Sequence, residues 1–492
     1  MKHIHFIGIC GVAMSALAIA FKKAGFEVSG SDAGFFSPVS TNLEKHKINF
    51  YPGWHPEKMG TPDLVVIGNV ASSTNPEWLH VQKNNLPYKS YPEVIAKYFV
   101  KDNSIVCAGT YGKTTTSALL SFVLTECGYN PSYMFGGIAT NDFDSASLGT
   151  TVILTLNEVK GKDPLNKIKG IPRSTQNYNW SVLEGDEYKT ARWDNGAKFF
   201  HYQPTHLLLT AIEWDHADVY PTEKSYFKAF EKLIKMVPEK GLIVANENIS
   251  DIRYQIADRI TYGKSDSVDY KYSDIKQTKN GIKFKITHHD NCYLLSAQMI
   301  GDYIAENICG IFALVHQIGI EPDKTITAIS KFKGLKRRLE KRYEGKVIVF
   351  DDIAHSPAKA KFTLATLRKI YNDKILAIFE PNTGNRQPQS ETHYNEAFQN
   401  ADEVIIPRLT KLKLKPGEEP HWEGDKLAQV IGQTHKNVKY IGDDKTLIEY
   451  IIKNTTNNDV VVFLGSHGFR GMIDDLITCL RQPPQSRPLR PL

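Results

Sequence analysis

At 492 residues, with 41% hydrophobic and 23% charged residues, the chain has the composition of an ordinary globular protein of two to four domains. Its net charge of +6 is not gathered into any Lys/Arg block, which argues against a nucleic-acid partner and suits anionic, phosphate-bearing substrates. Six scattered cysteines without a C-x-x-C pair argue against a disulfide framework or a zinc site and for reduced thiols in a cytoplasm, and the chain reads as having neither a signal peptide nor a bilayer-length apolar run.

Residues 3–9 read as a buried strand that breaks at Gly8-Ile9-Cys10-Gly11, and a helix over 13–23 ends at Gly25. A second strand over 26–30 delivers Ser31 and Asp32, the acid that a nucleotide-binding β-α-β unit places near a ribose. Cys10 and Ala13 stand where the dinucleotide fingerprint needs its second and third glycines, which disfavours a nicotinamide cofactor and an oxidoreductase. Residues 63–69 read as another strand with Asn69 at its polar end, and a helix from Tyr91-Pro92 runs to about residue 100.

A first domain over 1–100 is expected to give way to a second over 101–334. This opens with a β-prone run, Ile105-Val106-Cys107, then Gly109-Thr110-Tyr111-Gly112-Lys113-Thr114, then a helix over 115–127. Strand, glycine loop and helix put backbone N–H groups and a helix N-terminus against phosphate. Lys113 is placed to reach terminal phosphates, and the Thr114 hydroxyl to ligate Mg²⁺. Two later strands end on acidic clusters, Glu184-Gly185-Asp186-Glu187 and Glu213-Trp214-Asp215-His216-Ala217-Asp218, which suit the oxygen-rich shell of Mg²⁺. Residues 157–179 are polar and basic and read as an exposed loop, while 262–295 alternate as antiparallel strands.

A third domain is expected over 335–480. It carries Lys336-Arg337-Arg338, a strand ending on Asp351-Asp352-Ile353-Ala354-His355-Ser356-Pro357, and a strand ending on Glu380-Pro381-Asn382. The last strand runs into Gly465-Ser466-His467-Gly468, and residues 481–492 read as a disordered Pro/Arg-rich tail.

Taken together, the G-T-x-G-K-T-T loop, E-x-D-E, E-x-D-H-x-D, K-R-R and D-D-x-A-H-x-P resemble the Mur ligase family, in order, to about residue 480. The resemblance implies three α/β domains: a Rossmann-like N-terminal domain, a central P-loop domain and a Rossmann-like C-terminal domain. It implies an ATP-dependent amide ligase that forms an acyl phosphate on UDP-N-acetylmuramate and passes it to an amine. The starts G-I-C-G and I-G-N-V and the run 198–204 resemble the branch whose amine is L-Ala-γ-D-Glu-meso-diaminopimelate; single L-alanine addition is the alternative. A monomer or weak homodimer is expected.

By the same resemblance, Gly8, Gly11, Ser31, Asp32 and Asn69 would hold the UDP-sugar. Gly109, Thr110, Gly112, Lys113, Thr114, Thr115, Asn307, Arg338 and Asp352 would hold ATP. Thr114, Glu184 and His216 would hold Mg²⁺, and Lys113, Glu184, His216 and His355 would carry the chemistry. The chain departs from the family pattern at Tyr111, Gly185, Thr210-Ala211, Tyr303, Ile304 and Asn382. These departures motivate a second alternative, a catalytically weak nucleotide-binding relative.

Overall fold

Strand β1 (His3–Ile7) is the axis of a parallel sheet in the order β3-β2-β1-β4-β5. Its neighbours are β2 (Glu27–Asp32), β3 (Asn49–Pro52), β4 (Leu64–Ile67) and β5 (Tyr88–Ser90). Helix α1 (Val12–Lys23) buries a face from Met14 to Phe21, and Phe21 anchors its packing with Phe26 and Tyr98 at ring-centroid distances of 5.1 Å. Helix α2 (Pro76–Lys83) starts with a proline behind an Asn75 cap, and α3 (Tyr91–Tyr98) is fixed by a Ser90/Glu93 capping box. The second strand runs further than its apolar residues suggest, because Ser31 and Asp32 pair with Tyr51 and Pro52 of β3.

In this computed structural model the described residues are 2–35, 39–149, 179–216, 219–249, 259–410 and 421–481. The basic stretch read as an exposed loop lies outside them except for Asn179; so do Ala217, Asp218 and the tail beyond Arg481. The chain divides into two compact units, residues 1–276 with 283–298 and 303–333, and residues 277–282 with 299–302 and 334–492.

The first unit also holds most of a ten-stranded sheet centred on β6 (Asn103–Ala108). Helix α4 (Lys113–Glu126) follows, then β7 (Ser132–Met134), β8 (Ala146–Ser147), β9 (Trp180–Gly185), and the hairpin β10 (Lys189–Ala191) and β11 (Asp194–Ala197). Next come β12 (His206–Leu209), α5 (Glu223–Lys235), β13 (Leu242–Asn246) and β14 (Ile260–Gly263). The alternating stretch forms β15 (Tyr270–Thr278), β16 (Gly281–His288) and β17 (Asn291–Ala297), neighbours in the sheet joined by two-residue turns, which makes them antiparallel. Helix α6 (Asp302–Gln317) then crosses back, largely buried. β6 pairs in parallel with β9, aligning Ala108 with Gly185, and with β12, aligning Ala108 with Leu209. All three strands therefore release their next residues at one edge, where ligand sites of open α/β sheets lie.

The second unit is built on β18 (Glu340–Glu344), β19 (Ile348–Asp352), β20 (Ile375–Glu380), β21 (Glu403–Pro407), β22 (Val438–Ile441) and β23 (Val460–Gly465). Their order is β18-β19-β23-β20-β21-β22, parallel except for β18. Burial raises the pKa of the Glu403 carboxyl on β21, but hydrogen bonds from Lys374, Lys439 and Tyr450 outweigh it, and the value settles at about 2. Its contribution to stability is thus full above the ordinary value of 4.5 and is lost as pH falls through about 2. Glu403→Gln is expected to flatten the acid limb of a thermal-midpoint profile across that window; an unchanged slope would contradict the assignment.

Candidate active site

The glycine loop after β6 is shaped by contacts that leave no room for side chains. Gly109 has φ +144°, and a Cβ there would overlap Thr210 Oγ1 and lie 2.8 Å from Ala211 O. Gly112 has φ +83°, and a Cβ there would sit 2.7 Å from Asn307 Oδ1. That left-handed turn lets α4 begin at Lys113, two residues earlier than its apolar pattern indicates. The first helical bond runs from Thr116 N–H to Gly112 O, so the N–H groups of Lys113, Thr114 and Thr115 head the helix ahead of it. Thr210 donates its hydroxyl to Tyr111 O at 2.5 Å, tying the loop to the end of β12.

Thr110, expected among the phosphate ligands, is tied into the loop in this structure. Its N–H donates to Ala211 O at 2.5 Å, and its hydroxyl donates to Glu213 O at 2.7 Å and accepts from Glu213 N at 2.8 Å. Both polar groups thus hold the loop to the turn after β12. Lys113 Nζ donates to Gly109 O at 2.6 Å and to Glu187 Oε1 at 3.0 Å, and lies 2.9 Å from Glu187 Oε2.

The first acidic cluster separates into three roles. Glu184 accepts the Thr114 hydroxyl at 2.7 Å and the Gly136 N–H, so two oxygens suited to Mg²⁺ lie together at the head of α4. Asp186 pairs with Lys198. Glu187, with a side chain only 1% exposed, takes Lys113, and His216 Nε2 lies 3.4 Å from its Oε1. The Glu187 hydrogen bond raises the His216 pKa against the opposing effect of burial. The expected metal set therefore divides: Thr114 meets Glu184, whereas His216 faces Glu187. Among the described residues no group of three or more His, Cys, Asp or Glu is arranged to hold a metal. Mg²⁺ bound by one or two carboxylates plus substrate phosphates needs no such cage.

Asn307 on α6 is 5% exposed, faces Gly112 with Oδ1, and has a buried Nδ2 without an acceptor among the described residues. An orphaned buried amide beside a phosphate loop fits a nucleotide contact.

At the end of β1, Gly8 and Ile9 donate their N–H groups to Ser31 O at 2.8 and 3.0 Å, and Asp32 Oδ2 accepts the Cys10 N–H at 2.8 Å. Asp32 thus braces the Gly8–Gly11 turn. Ser31, expected at the UDP-sugar site, has a fully buried side chain whose hydroxyl donates to Glu77, so it supports the sheet from inside. Asn69 is exposed at the end of β4, on the same edge.

Within the second unit, Asp352, expected near ATP, holds its own loop. Its carboxylate accepts Leu339 N–H at 2.7 Å and Ala354 N–H at 2.8 Å while 8% exposed, so it organises the loop. Arg337 of the basic trio donates to Ser466 O at 2.9 Å and His467 O at 2.8 Å, and Arg338 beside it is exposed. His355 donates from Nδ1 to Ile353 O at 2.7 Å, and burial and then Lys359 lower its pKa, leaving Nε2 as an acceptor on a neutral ring. Arg386 is 2% exposed and donates to Trp422 O and Thr410 O, so it braces the loops beyond β20 and β21.

Three domains of known proteins match this chain in order: the Mur ligase family catalytic domain over residues 3–101, the Mur ligase middle domain over 107–315, and the Mur ligase glutamate ligase domain over 337–467. The chain belongs to the Mur ligase family. Membership removes the nicotinamide oxidoreductase alternative and makes the three-domain α/β architecture that of the family. The UDP-N-acetylmuramate–L-alanyl-γ-D-glutamyl-meso-2,6-diaminoheptandioate ligase of Escherichia coli is 29% identical, over 98% of this chain and 99% of its own. The UDP-N-acetylmuramate–L-alanine ligase of Dictyoglomus turgidum is also 29% identical, over 84% of this chain and 83% of its own. The crystal structure of a murein peptide ligase from Psychrobacter arcticus superposes with a TM-score of 0.68 at 25% identity, covering 98% of this chain and 99% of that one. Like other Mur ligases, the protein is an ATP-dependent ligase forming amide bonds. No helix among the described residues is long and apolar enough to cross a membrane.

Proposed function

We propose that this Mur ligase joins the carboxylate of UDP-N-acetylmuramate to the amino group of L-Ala-γ-D-Glu-meso-diaminopimelate. The observation that carries the chemistry is the head of α4, where Lys113 and the Thr114–Glu184 pair stand beside the phosphate loop. The choice of peptide over L-alanine is supported by end-to-end similarity to the Escherichia coli ligase.

In this reading a carboxylate oxygen attacks the γ-phosphorus of ATP, the bond to the β-phosphate oxygen breaks, and ADP departs from an acyl phosphate. The peptide amine attacks the acyl carbon, loses a proton, and the tetrahedral adduct collapses to an amide and inorganic phosphate. Lys113 and the N–H groups of Lys113, Thr114 and Thr115 neutralise charge growing on the transferring group. Thr114 and Glu184 would hold Mg²⁺, with His216 as a third candidate; the ion supplies further charge neutralisation. Gly109, Gly112 and Asn307 shape the nucleotide side. Gly8, Gly11, Asp32 and Asn69 form the UDP-sugar edge. On the second unit, Arg338 is proposed for ATP and His355 Nε2 for the acceptor amine. We assign domain limits near residues 100 and 334, a cytoplasmic location, and a monomer or weak homodimer.

Purified protein with Mg-ATP and UDP-N-acetylmuramate, offered the tripeptide and L-alanine in separate tubes, tests this. Phosphate release with the tripeptide alone is expected. Release with L-alanine alone would move the chain to the alanine-adding branch, and release with neither would overturn both.

A further inference from the structure

We infer that Tyr226 and Glu187 act together as positioning residues, a strut that fixes the phosphate loop and Lys113 for nucleotide. The inference deepens the proposed function and rests on it.

Tyr226 lies on α5, whose start is fixed by a Thr222 cap, and its side chain is fully buried. Its hydroxyl lies 2.9 Å from Thr110 Oγ1 and donates to Glu187 Oε1 at 3.3 Å. Either hydroxyl can donate across the Thr110–Tyr226 pair, and the single Tyr226 proton goes to Glu187 when Thr110 donates to the phenol. Burial, then the Glu187 charge, raises the phenol pKa well above its ordinary value, so it stays a donor. The Tyr226 hydroxyl thus joins the glycine loop after β6 to the acidic turn after β9. The Glu187 main chain is held separately, since Tyr220 donates to its carbonyl at 2.6 Å.

Glu187 is consequently fixed from both sides, and it is the carboxylate paired with Lys113. A lysine side chain is flexible and loses rotamer freedom whenever it is ordered. Holding its ammonium over the loop carbonyls beforehand lowers the ordering cost of binding phosphate. A core that merely needed filling would be served by phenylalanine. The hydroxyl's two partners instead belong to the two segments that must stay in register.

The test is calorimetric titration of the full chain with Mg-ATP and, separately, with UDP-N-acetylmuramate, using wild type, Tyr226→Phe, Glu187→Gln and the double variant. Each single change is expected to weaken Mg-ATP binding about 10-fold, as for other outer groups that orient a site. The double variant is expected to lose little more than either single, because the residues act as one unit. UDP-N-acetylmuramate affinity is expected to be unchanged. Mg-ATP affinity within twofold of wild type in Tyr226→Phe, additive losses, or equal losses for both ligands would overturn the strut. If wild type binds Mg-ATP but releases no phosphate with either acceptor, the ligase assignment falls while the strut is still decided by these affinities. If wild type does not bind Mg-ATP, both fall.

Discussion

Lys113→Ala is expected to lower turnover about a thousandfold, the scale of losing a charge-stabilising group at a reacting centre. Two physical losses coincide there. The ammonium that would neutralise the transferring phosphoryl group disappears, and Glu187, with a 1% exposed side chain, is left without its cation. An unpaired buried carboxylate is costly in itself and also repels phosphate. The Gly8–Gly11 edge of the first sheet shares no hydrogen bond with this pair among the described residues, so UDP-N-acetylmuramate binding is expected to stay normal. Steady-state phosphate release with a parallel UDP-sugar titration checks both halves. Near-normal turnover would show that the loop after β6 is not the phosphate site.

Glu184→Gln is expected to lower kcat about a hundredfold, with partial recovery at high Mg²⁺, since removing one oxygen ligand weakens a metal site without abolishing it. The substitution keeps the size of the side chain. It leaves one oxygen to serve both the Thr114 hydroxyl and the Gly136 N–H, and it removes the charge. A Mg²⁺ titration of kcat reads this directly. If kcat is unchanged at ordinary Mg²⁺, the ion is held elsewhere.

The strand-loop-helix at residues 103–126 was legible because its glycines, lysine and threonines are local in sequence and their geometry is set by the backbone. Much of the rest was not, because a residue type fits two uses until its partner is known. Ser31 and Thr110 are good ligands by composition, yet Glu77 and Glu213 take their hydroxyls. Asp352 looks like an exposed strand-end acid, yet two backbone N–H groups occupy it inside the loop. Glu187 shows the converse. In Glu184-Gly185-Asp186-Glu187 three carboxylates are equivalent on paper, and the turn after β9 decides that the last one, rather than the first, meets Lys113. No spacing announces that choice. Tyr226 carries no signal at all, since an aromatic on the buried face of an amphipathic helix reads as core. The helix start at Lys113 was missed because apolar periodicity cannot see a left-handed glycine cap.

The most direct measurement follows oxygen. UDP-N-acetylmuramate labelled with ¹⁸O in its carboxylate would be turned over with Mg-ATP and the tripeptide, and the released phosphate analysed by mass. If the carboxylate attacks the γ-phosphorus and the amine then expels phosphate, one labelled oxygen leaves in each phosphate. Phosphate carrying only unlabelled oxygen would mean that ATP is consumed without activating this carboxylate, which would contradict the account at its centre.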